Sequence, residues 1–376
     1  MMKVALVTNV LSSYRIECFN RLHEFLQGRI KYYFLAKDIL NRGIIIEKNQ
    51  QMFDATWLHG FTMLAPPPDP RHLNNIMPVL KEDCDVIIVG GWDEPTYLLL
   101  WFWALLKKKK FFFWIETTQY DAAKSKIKNI IKRILLKHAK GCIVPGSRAR
   151  DFCKIMGMSE DSIFTAPNPT DVEYYRGMSK QLNGKKESLK KELNVEGINI
   201  CFVGRLYDNH KNLTILLNAF SRLKQSFSNL TLLIIGDGPD RVHYQQMIEQ
   251  SSLQGDVKVL GLLNKDEVCR AYAASDVFVL PSRWEPWGFV LNEAMEFGLP
   301  LIVSDAVGAG PDLVHEGENG FVFPVGDVDA LTKHLSLLCG DAELRGKMGE
   351  ASKKIISDFT PEHWAQGVVH AIMSGR

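Results

Sequence analysis

Short apolar runs alternate with segments of helical periodicity along the whole chain. Continuous apolar runs are typical of parallel strands buried on both faces, and their alternation with helical segments predicts βαβ units. The expected strands of the first half are Val4–Thr8, Ile30–Ala36, Val86–Gly91, Phe111–Glu116, Cys142–Pro145 and Ile163–Ala166. Those of the second half are Ile198–Gly204, Leu230–Gly236, Val257–Gly261, Val277–Pro281, Leu301–Ser304 and Phe321–Pro324. The pattern predicts an α/β chain with two Rossmann-like sheets.

The length of 376 residues exceeds what one hydrophobic core usually supports, which favours two domains. Residues 179–188 are polar and contain glycine, as an exposed connection does. We therefore predict an N-terminal domain over 1–178, a linker over 179–197 and a C-terminal domain over 198–357. Residues 358–376 place apolar side chains at helical spacing, so this segment is expected to be a helix that packs back on the N-terminal domain.

Two acids frame one turn of the second half. Glu285 precedes a predicted helix and Glu293 lies near its second turn, while Gly288, Phe289 and Val290 mark the helix start. Helix N-termini attract phosphate oxygens, and carboxylates accept hydrogen bonds from the paired hydroxyls of a ribose or hexose. The segment is therefore suited to bind a sugar and a nucleotide phosphate together.

Two cations follow the first predicted strand of the second half. Arg205, after Gly204, and Lys211 are expected at the carboxyl edge of the sheet, where open α/β sheets bind ligands. Fixed cations there stabilise the charge that develops on a leaving diphosphate. Gly236 and Gly238 form a tight turn after the next strand.

These motifs together resemble the retaining GT-B glycosyltransferases of family four, the glycosyl transferases group 1. The resemblance rests on Gly204-Arg-Leu, Lys211-Asn, Gly236-Asp-Gly-Pro and Glu285-x7-Glu293, and it is strongest over residues 199–326. It implies two Rossmann-like domains facing across a cleft. It also implies that the first glutamate contacts the transferred sugar, the second the ribose, and the two cations the diphosphate. The base is expected to face the backbone near Val259–Leu263, which includes Leu262. A lone Glu-x7-Glu is common by chance, and the ordered combination carries the interpretation.

The first half departs from the family in two places. Many members have a Gly-Gly loop after the first strand, whereas this chain has Ser12 and Ser13 there, which we assign to the acceptor side. Many members also have a histidine where this chain has Glu116. A carboxylate at that position could accept a proton or a hydrogen bond from an acceptor hydroxyl. The alternative is a solvated acid at the end of a strand.

The cysteines and acids indicate neither disulfides nor a metal. All seven cysteines are scattered singly, which is typical of reduced thiols in a cytoplasmic protein. Asp83-Cys-Asp85 and Asp327-Val-Asp329 are interpreted as turn and cap acids rather than as a metal-binding D-x-D motif. No metal and no cofactor are expected.

Charge is distributed unevenly. Residues 1–180 contain 26 Lys and Arg against 18 Asp and Glu, whereas 181–376 contain 19 against 25. The basic half suggests an anionic partner, such as a phosphorylated acceptor or the inner face of the cell membrane. Lys107–Lys110 and the basic segment 124–138 flank an apolar run that is too short to span a bilayer. The alternative is a buried crossover helix with a solvated basic end. No nucleic-acid reading motif is present.

The combined expectation is a retaining, metal-independent glycosyltransferase. It would move a sugar from a UDP- or GDP-sugar to a hydroxyl acceptor in glycan, polysaccharide or glycolipid synthesis. Two alternatives stay open at this point: a nucleotide-sugar epimerase on the same fold, and a non-catalytic protein that binds glycan or lipid.

Overall fold

Two compact units make up the chain in the computed structural model. The first comprises Met1–Asp171 together with Phe359–Arg376, and the second comprises Val172–Asp358. The residues that the structure describes are 2–37, 51–63, 71–120 and 126–374.

The first unit is built on a parallel sheet. Its described strands are β1 (Val4–Thr8), β2 (Ile30–Phe34), β3 (Ala55–Trp57), β6 (Val86–Val89), β7 (Lys110–Trp114), β8 (Gly141–Val144) and β9 (Ile163–Thr165), with a separate antiparallel pair of β4 (Gly60–Met63) and β5 (Arg71–Asn74). The strand order of the sheet is β3-β2-β1-β6-β7-β8-β9. The switch from falling to rising order at β1 and β6 is that of a doubly wound sheet.

Helices cover both faces of this sheet. They are α1 (Ser13–Phe25), α2 (Met77–Lys81), α3 (Pro95–Leu106), α4 (Lys126–Lys137), α5 (Ser147–Ile155) and α16 (Pro361–Ser374), with a 3₁₀ turn at Glu160–Ser162. Successive strand residues point to opposite faces, so Phe113 packs with α3, α4 and α5 whereas Phe112 packs with α1 and α16. Trp364 of α16 is fully buried.

The second unit contains a parallel sheet of the same kind. Its strands are β10 (Ile198–Val203), β11 (Leu230–Ile235), β12 (Val257–Gly261), β13 (Val277–Leu280), β14 (Leu301–Ser304) and β15 (Gly320–Phe323), in the order β12-β11-β10-β13-β14-β15. Its helices are α6 (Val172–Leu182), α7 (Lys186–Glu192), α8 (Asp208–Lys211), α9 (Leu213–Leu223), α10 (Arg241–Gln250), α11 (Lys265–Ala274), α12 (Phe289–Glu296), α13 (Gly310–Leu313), α14 (Val328–Gly340) and α15 (Ala342–Ile356). The α/β prediction with two Rossmann-like sheets is confirmed.

The predicted linker over 179–197 is wrong. This segment continues α6 and forms α7, and it belongs to the second unit, which begins at Val172. Leu182 and Leu189 are buried in a cluster with Cys269 of α11. The segment looked like a linker because its polar residues outnumber the few apolar ones that anchor it.

The expected final helix is present. Within the segment predicted as 358–376, residues Pro361–Ser374 form α16, which packs on α1 of the first unit. Its apolar residues meet Phe19 and Trp114, whose rings lie 5.8 and 5.3 Å from that of Trp364. The chain therefore returns to its first unit after completing the second.

Candidate functional site

An ion pair lies at the carboxyl edge of the second sheet. Lys211 ends α8, just after β10, and its Nζ donates to Glu285 Oε2 in the loop after β13. The side chains are 18% and 14% exposed. Because β10 and β13 are neighbours in the sheet, residues 74 positions apart in the chain meet here. Arg205, also after β10, is exposed.

A second loop fixes the backbone around Glu285. Its carbonyl accepts a hydrogen bond of 2.8 Å from the Gly308 N–H, and Trp287 O accepts one of 2.9 Å from Ala309. A Cβ at position 308 would lie 1.8 Å from Pro286 O. Only glycine allows this approach, which the sequence patterns did not single out.

Gly288 is the N-cap residue at which this loop ends and α12 begins. Its φ of +102° is unfavourable for other residues, and a Cβ there would lie 3.2 to 3.4 Å from Leu280, Glu285 and Val307. Phe289 and Val290 form the first turn of the helix, as predicted. The helix N-terminus therefore follows directly from the loop that carries Glu285, and such a terminus favours negative charge.

Glu293 lies in the second turn of α12 and accepts a hydrogen bond of 2.9 Å from the hydroxyl of Tyr272. Burial raises the pKa of Glu293 to about 7, an effect that hydrogen bonds from Tyr272 and Tyr175 oppose. Glu293 therefore changes charge near neutral pH.

The predicted glycines bring strand ends together. Gly236 has a φ of +136°, and a Cβ there would lie 1.9 Å from Gly204 O. A Cβ at Gly238 would lie 2.3 Å from Leu206 O. These glycines thus allow close backbone approach at the expected tight turn. Leu262, just past β12, is 79% exposed and open to contact with a ligand.

Three polar residues of this edge were missed by the sequence analysis. The ring of His210 lies between Tyr207 and Trp284, with centroid distances of 4.7 and 4.5 Å. Burial, followed by the charge of Lys211, lowers the pKa of His210 and so favours its neutral form. Its carbonyl accepts a bond from the N–H of Arg283, whose side chain lies 3.6 Å from Asp208. No known motif marked these positions.

A different polar cluster lies at the carboxyl edge of the first sheet. Arg15 of α1 is buried, and its Nη2 donates to Glu116 Oε1 at 2.6 Å and to Asn168 Oδ1 at 2.8 Å. Asn168 Nδ2 also donates to Glu116 at 3.2 Å. Ser12 occupies the N-cap position of α1 without a side-chain capping hydrogen bond, and the exposed Ser13 is the first residue of the helix. Glu116 is thus held by two side chains and is not simply a solvated acid.

The structure places the predicted site residues in two groups, one in each unit. Glu116, Ser12 and Ser13 belong to the first unit, and the other predicted residues to the second. A cavity of about 580 Å³ in the second unit is bordered by Ser275 and Pro300, just before β13 and β14. That end of the sheet is opposite to the one that carries the predicted residues.

The acids that resemble a metal-binding motif have structural partners. Asp327 caps α14 by accepting from the N–H of Ala330 at 2.9 Å, and Asp85 accepts from the N–H of Lys3 at 2.8 Å. Asp83 pairs with Lys109. Within the described residues, no group of three or more His, Cys, Asp or Glu side chains is placed to hold a metal. All seven cysteines are buried and unpaired.

A known protein family matches the segment that forms this edge of the second sheet. The profile of the glycosyl transferases group 1 matches residues 184–355, which contain Arg205, Lys211, Glu285 and Glu293. Residues 184–355 belong to the group 1 glycosyltransferases. The family resemblance inferred from the motifs is confirmed.

Two curated relatives match this chain over part of their length. The sulfoquinovosyl transferase of Arabidopsis thaliana is 35% identical over 158 residues, which cover 41% of this chain and 29% of the relative. The alpha-monoglucosyldiacylglycerol synthase of Acholeplasma laidlawii is 27% identical over 254 residues, covering 65% of this chain and 61% of the relative. The matched region therefore spans less than two thirds of either relative.

The solved structures extend the likeness of the fold to the whole chain. HepE from Anabaena, solved in complex with UDP, is 18% identical, with a TM-score of 0.76 over 99% of this chain and 100% of that one. At this identity the likeness concerns the fold alone. The GT-B fold expected from the sequence is confirmed.

Proposed function

We propose that this chain is a retaining glycosyltransferase that moves a sugar from a nucleotide-diphosphate sugar to a hydroxyl acceptor. The observation that carries the proposal is the Lys211–Glu285 ion pair beside the start of α12, inside the segment that matches the group 1 family. This ion pair places a cation that can bind the diphosphate beside a carboxylate that can bind the sugar. The likeness to HepE, which binds UDP, makes UDP-sugars the first donors to test, followed by GDP-sugars.

In the proposed donor complex, Lys211 leaves Glu285 and binds a diphosphate oxygen. Arg205 and the α12 terminus at Gly288 bind the other oxygens. This exchange frees the Glu285 carboxylate to accept hydrogen bonds from hydroxyls of the transferred sugar. Glu293 accepts from the ribose, and Leu262 contacts the base. The two cations supply the positive charge that a metal ion would otherwise provide, so we propose a metal-independent reaction.

In the proposed reaction, the bond between the anomeric carbon and the diphosphate oxygen breaks and its electron pair leaves with the nucleotide. The acceptor hydroxyl forms the new bond from the face that the nucleotide leaves, so the anomeric configuration is retained. Its proton passes to the departing diphosphate. Arg205 and Lys211 hold the charge that develops, and stabilising this charge lowers the barrier.

The acceptor is assigned to the first unit. Glu116 is the polar group there that could accept a hydrogen bond from an attacking hydroxyl, because Arg15 and Asn168 fix its position. Ser12 and Ser13 lie at the start of the helix that carries Arg15 and can add hydroxyl contacts. The name of the Acholeplasma relative includes a diacylglycerol lipid, which supports glycolipid as one acceptor class beside polysaccharide.

The test is a panel of UDP- and GDP-sugars incubated with the purified protein and a series of alcohol acceptors. Acceptor-dependent release of nucleoside diphosphate, and a product with the donor's anomeric configuration by NMR, are expected. A change in the sugar of the donor itself, with no acceptor added, would instead indicate an epimerase. An inverted product would rule out the retaining mechanism, and nucleotide binding without turnover on any acceptor would favour a binding protein.

A further inference from the structure

The helices α3 and α4 expose apolar side chains on their outer sides. On α4, Ile127, Ile130, Ile131 and Ile134 follow the spacing of one helical face, yet they are 49 to 72% exposed. On α3, Leu98, Leu99, Phe102, Leu105 and Leu106 are 38 to 66% exposed. We call these nine side chains the α3–α4 face. Large apolar patches on a protein surface usually mark an interaction site.

The two helices are in contact, so their apolar sides adjoin. Trp101 of α3 donates through Nε1 to the carbonyl of Leu135 of α4 at 3.2 Å. Residues three or four apart are neighbours on a helix. Leu98 and Leu105 therefore border Trp101 on α3, and Ile131 borders Leu135 on α4. The inner sides of both helices, including Leu100 and Leu136, belong to the core beneath the sheet.

Positive charge surrounds the apolar residues. Lys107 and Lys108 are exposed at the end of α3, and Arg133 and Lys137 are exposed on α4 beside the isoleucines. Residues 95–115 and 126–140 contain no aspartate or glutamate. Lys107–Lys110 provide fewer available charges than the sequence suggests. Lys109 pairs with Asp83, and Lys110 is the first residue of β7. Residues 124 and 125 of the basic segment lie outside the described residues.

We propose that the α3–α4 face docks on the surface of an anionic lipid bilayer. Isoleucine, leucine and phenylalanine would enter the boundary between headgroups and acyl chains, while the flanking cations bind anionic headgroups. This contact is peripheral, because no helix among the described residues is long and apolar enough to cross a membrane. The absence of acids from residues 95–115 and 126–140 favours a negatively charged surface over a neutral one. The proposal is independent of the transferase activity.

The test is co-sedimentation of the full chain with vesicles of phosphatidylcholine containing phosphatidylglycerol, compared with pure phosphatidylcholine, at rising salt. Wild type should bind the anionic vesicles at low salt, and salt should weaken binding because it screens the cations. Ile130→Gln/Ile134→Gln should weaken binding by about tenfold or more through lost apolar burial. Arg133→Gln/Lys137→Gln should weaken it by about tenfold or more through lost charge.

The matched control is Phe25→Gln/Leu337→Gln, which removes two apolar side chains, each 46% exposed, from α1 and α14. It should bind vesicles as wild type does. All three double variants should keep the wild-type Tm, because the replaced side chains are exposed. Wild type that stays in the supernatant at low salt, or equal binding to both kinds of vesicle, would overturn the proposal. So would a wild-type dimer that the isoleucine variant dissociates, because the face would then join two copies of the chain.

Discussion

The carboxyl edges of the two sheets carry a similar ion pair in different surroundings. In the second unit, Lys211 and Glu285 are each less than one fifth exposed and neutralise each other next to a helix N-terminus. In the first unit, Arg15 is almost fully buried against aromatic rings, while Glu116 is 35% exposed and also bound by Asn168. The first pair can separate when a charged ligand competes for it. The second pair holds one carboxylate in place.

This difference indicates two kinds of recognition. An ion pair at a helix N-terminus suits an anion, since the ligand can replace the carboxylate as the partner of the cation. A carboxylate fixed by a buried arginine keeps its orientation, which suits hydrogen bonding to a neutral hydroxyl group. We therefore expect substitutions in the second unit to change catalysis and nucleotide binding, and substitutions of the Arg15 pair to change stability as well.

The largest effect is expected from the cations of the second unit. Arg205→Ala or Lys211→Ala should lower kcat/KM by about 100-fold or more, equal to about 3 kcal/mol of transition-state stabilisation, because each removes a charge that binds the leaving diphosphate. The Tm should stay close to that of wild type. Steady-state kinetics with the best donor of the panel measures this. Near-normal turnover in the double variant would contradict the proposed mechanism.

A paired stability measurement compares the two carboxylates. Glu116→Ala leaves the buried Arg15 without its carboxylate and should destabilise the chain by about 2 to 3 kcal/mol. Glu285→Ala should cost less than about 1 kcal/mol, because Lys211 can turn to solvent. Thermal unfolding of both variants against wild type tests this. An equal fall in Tm would show that the two ion pairs have the same structural role.

Substitutions of Glu285 and Glu293 should have different effects. Glu285→Gln should mainly lower kcat, because its carboxylate is assigned to the transferred sugar. Glu293→Gln should mainly weaken donor binding, because its carboxylate is assigned to the ribose. Calorimetry with free nucleoside diphosphate separates the two effects. Equal loss of affinity in both variants would refute the assignment.

The smallest effect concerns pH. Because burial raises the pKa of Glu293 to about 7, this group adds stability at pH values below its unfolded pKa, near 4.5, and the contribution is lost as the pH rises through 7. Ribose hydroxyls would favour the charged carboxylate, so UDP binding should release protons near pH 7 and strengthen between pH 6 and 8. Calorimetry in buffers of different ionisation enthalpy measures the release. Glu293→Gln is the control, and an unchanged pH dependence in that variant would contradict this role.

The sequence predicted the second unit better than the first for a physical reason. Buried parallel strands leave a pattern of apolar residues along the sequence, and the glycines of a tight turn leave a local motif. Gly236 and Gly238, where the backbone approaches closely, were identified from such a motif. Gly308 was missed because its requirement depends on the carbonyl of Pro286, 22 residues earlier. The requirement becomes visible only when the two loops meet.

The polar cluster of the first unit could not be predicted as a cluster. Arg15 lies in the first turn of α1, and its partners Glu116 and Asn168 follow β7 and β9, about 100 and 150 positions later in the chain. Of these three residues, only Glu116 was assigned a role from the sequence, because it lies where many family members have a histidine. The wrong linker has a similar cause, since two buried leucines among many polar residues give too weak a signal to separate an amphipathic helix from a connection.

The most direct test of the central claim is calorimetric titration of UDP and GDP into wild type, Lys211→Ala and Lys224→Ala. Lys224 is the matched control, because its side chain is 17% exposed and pairs with Asp256 at 2.9 Å, ahead of β12 at the other end of the sheet. We expect wild type and Lys224→Ala to bind one of the nucleotides with equal affinity and Lys211→Ala to bind it at least tenfold more weakly. Unchanged affinity in Lys211→Ala, or no binding of either nucleotide to wild type, would contradict a diphosphate site at this edge.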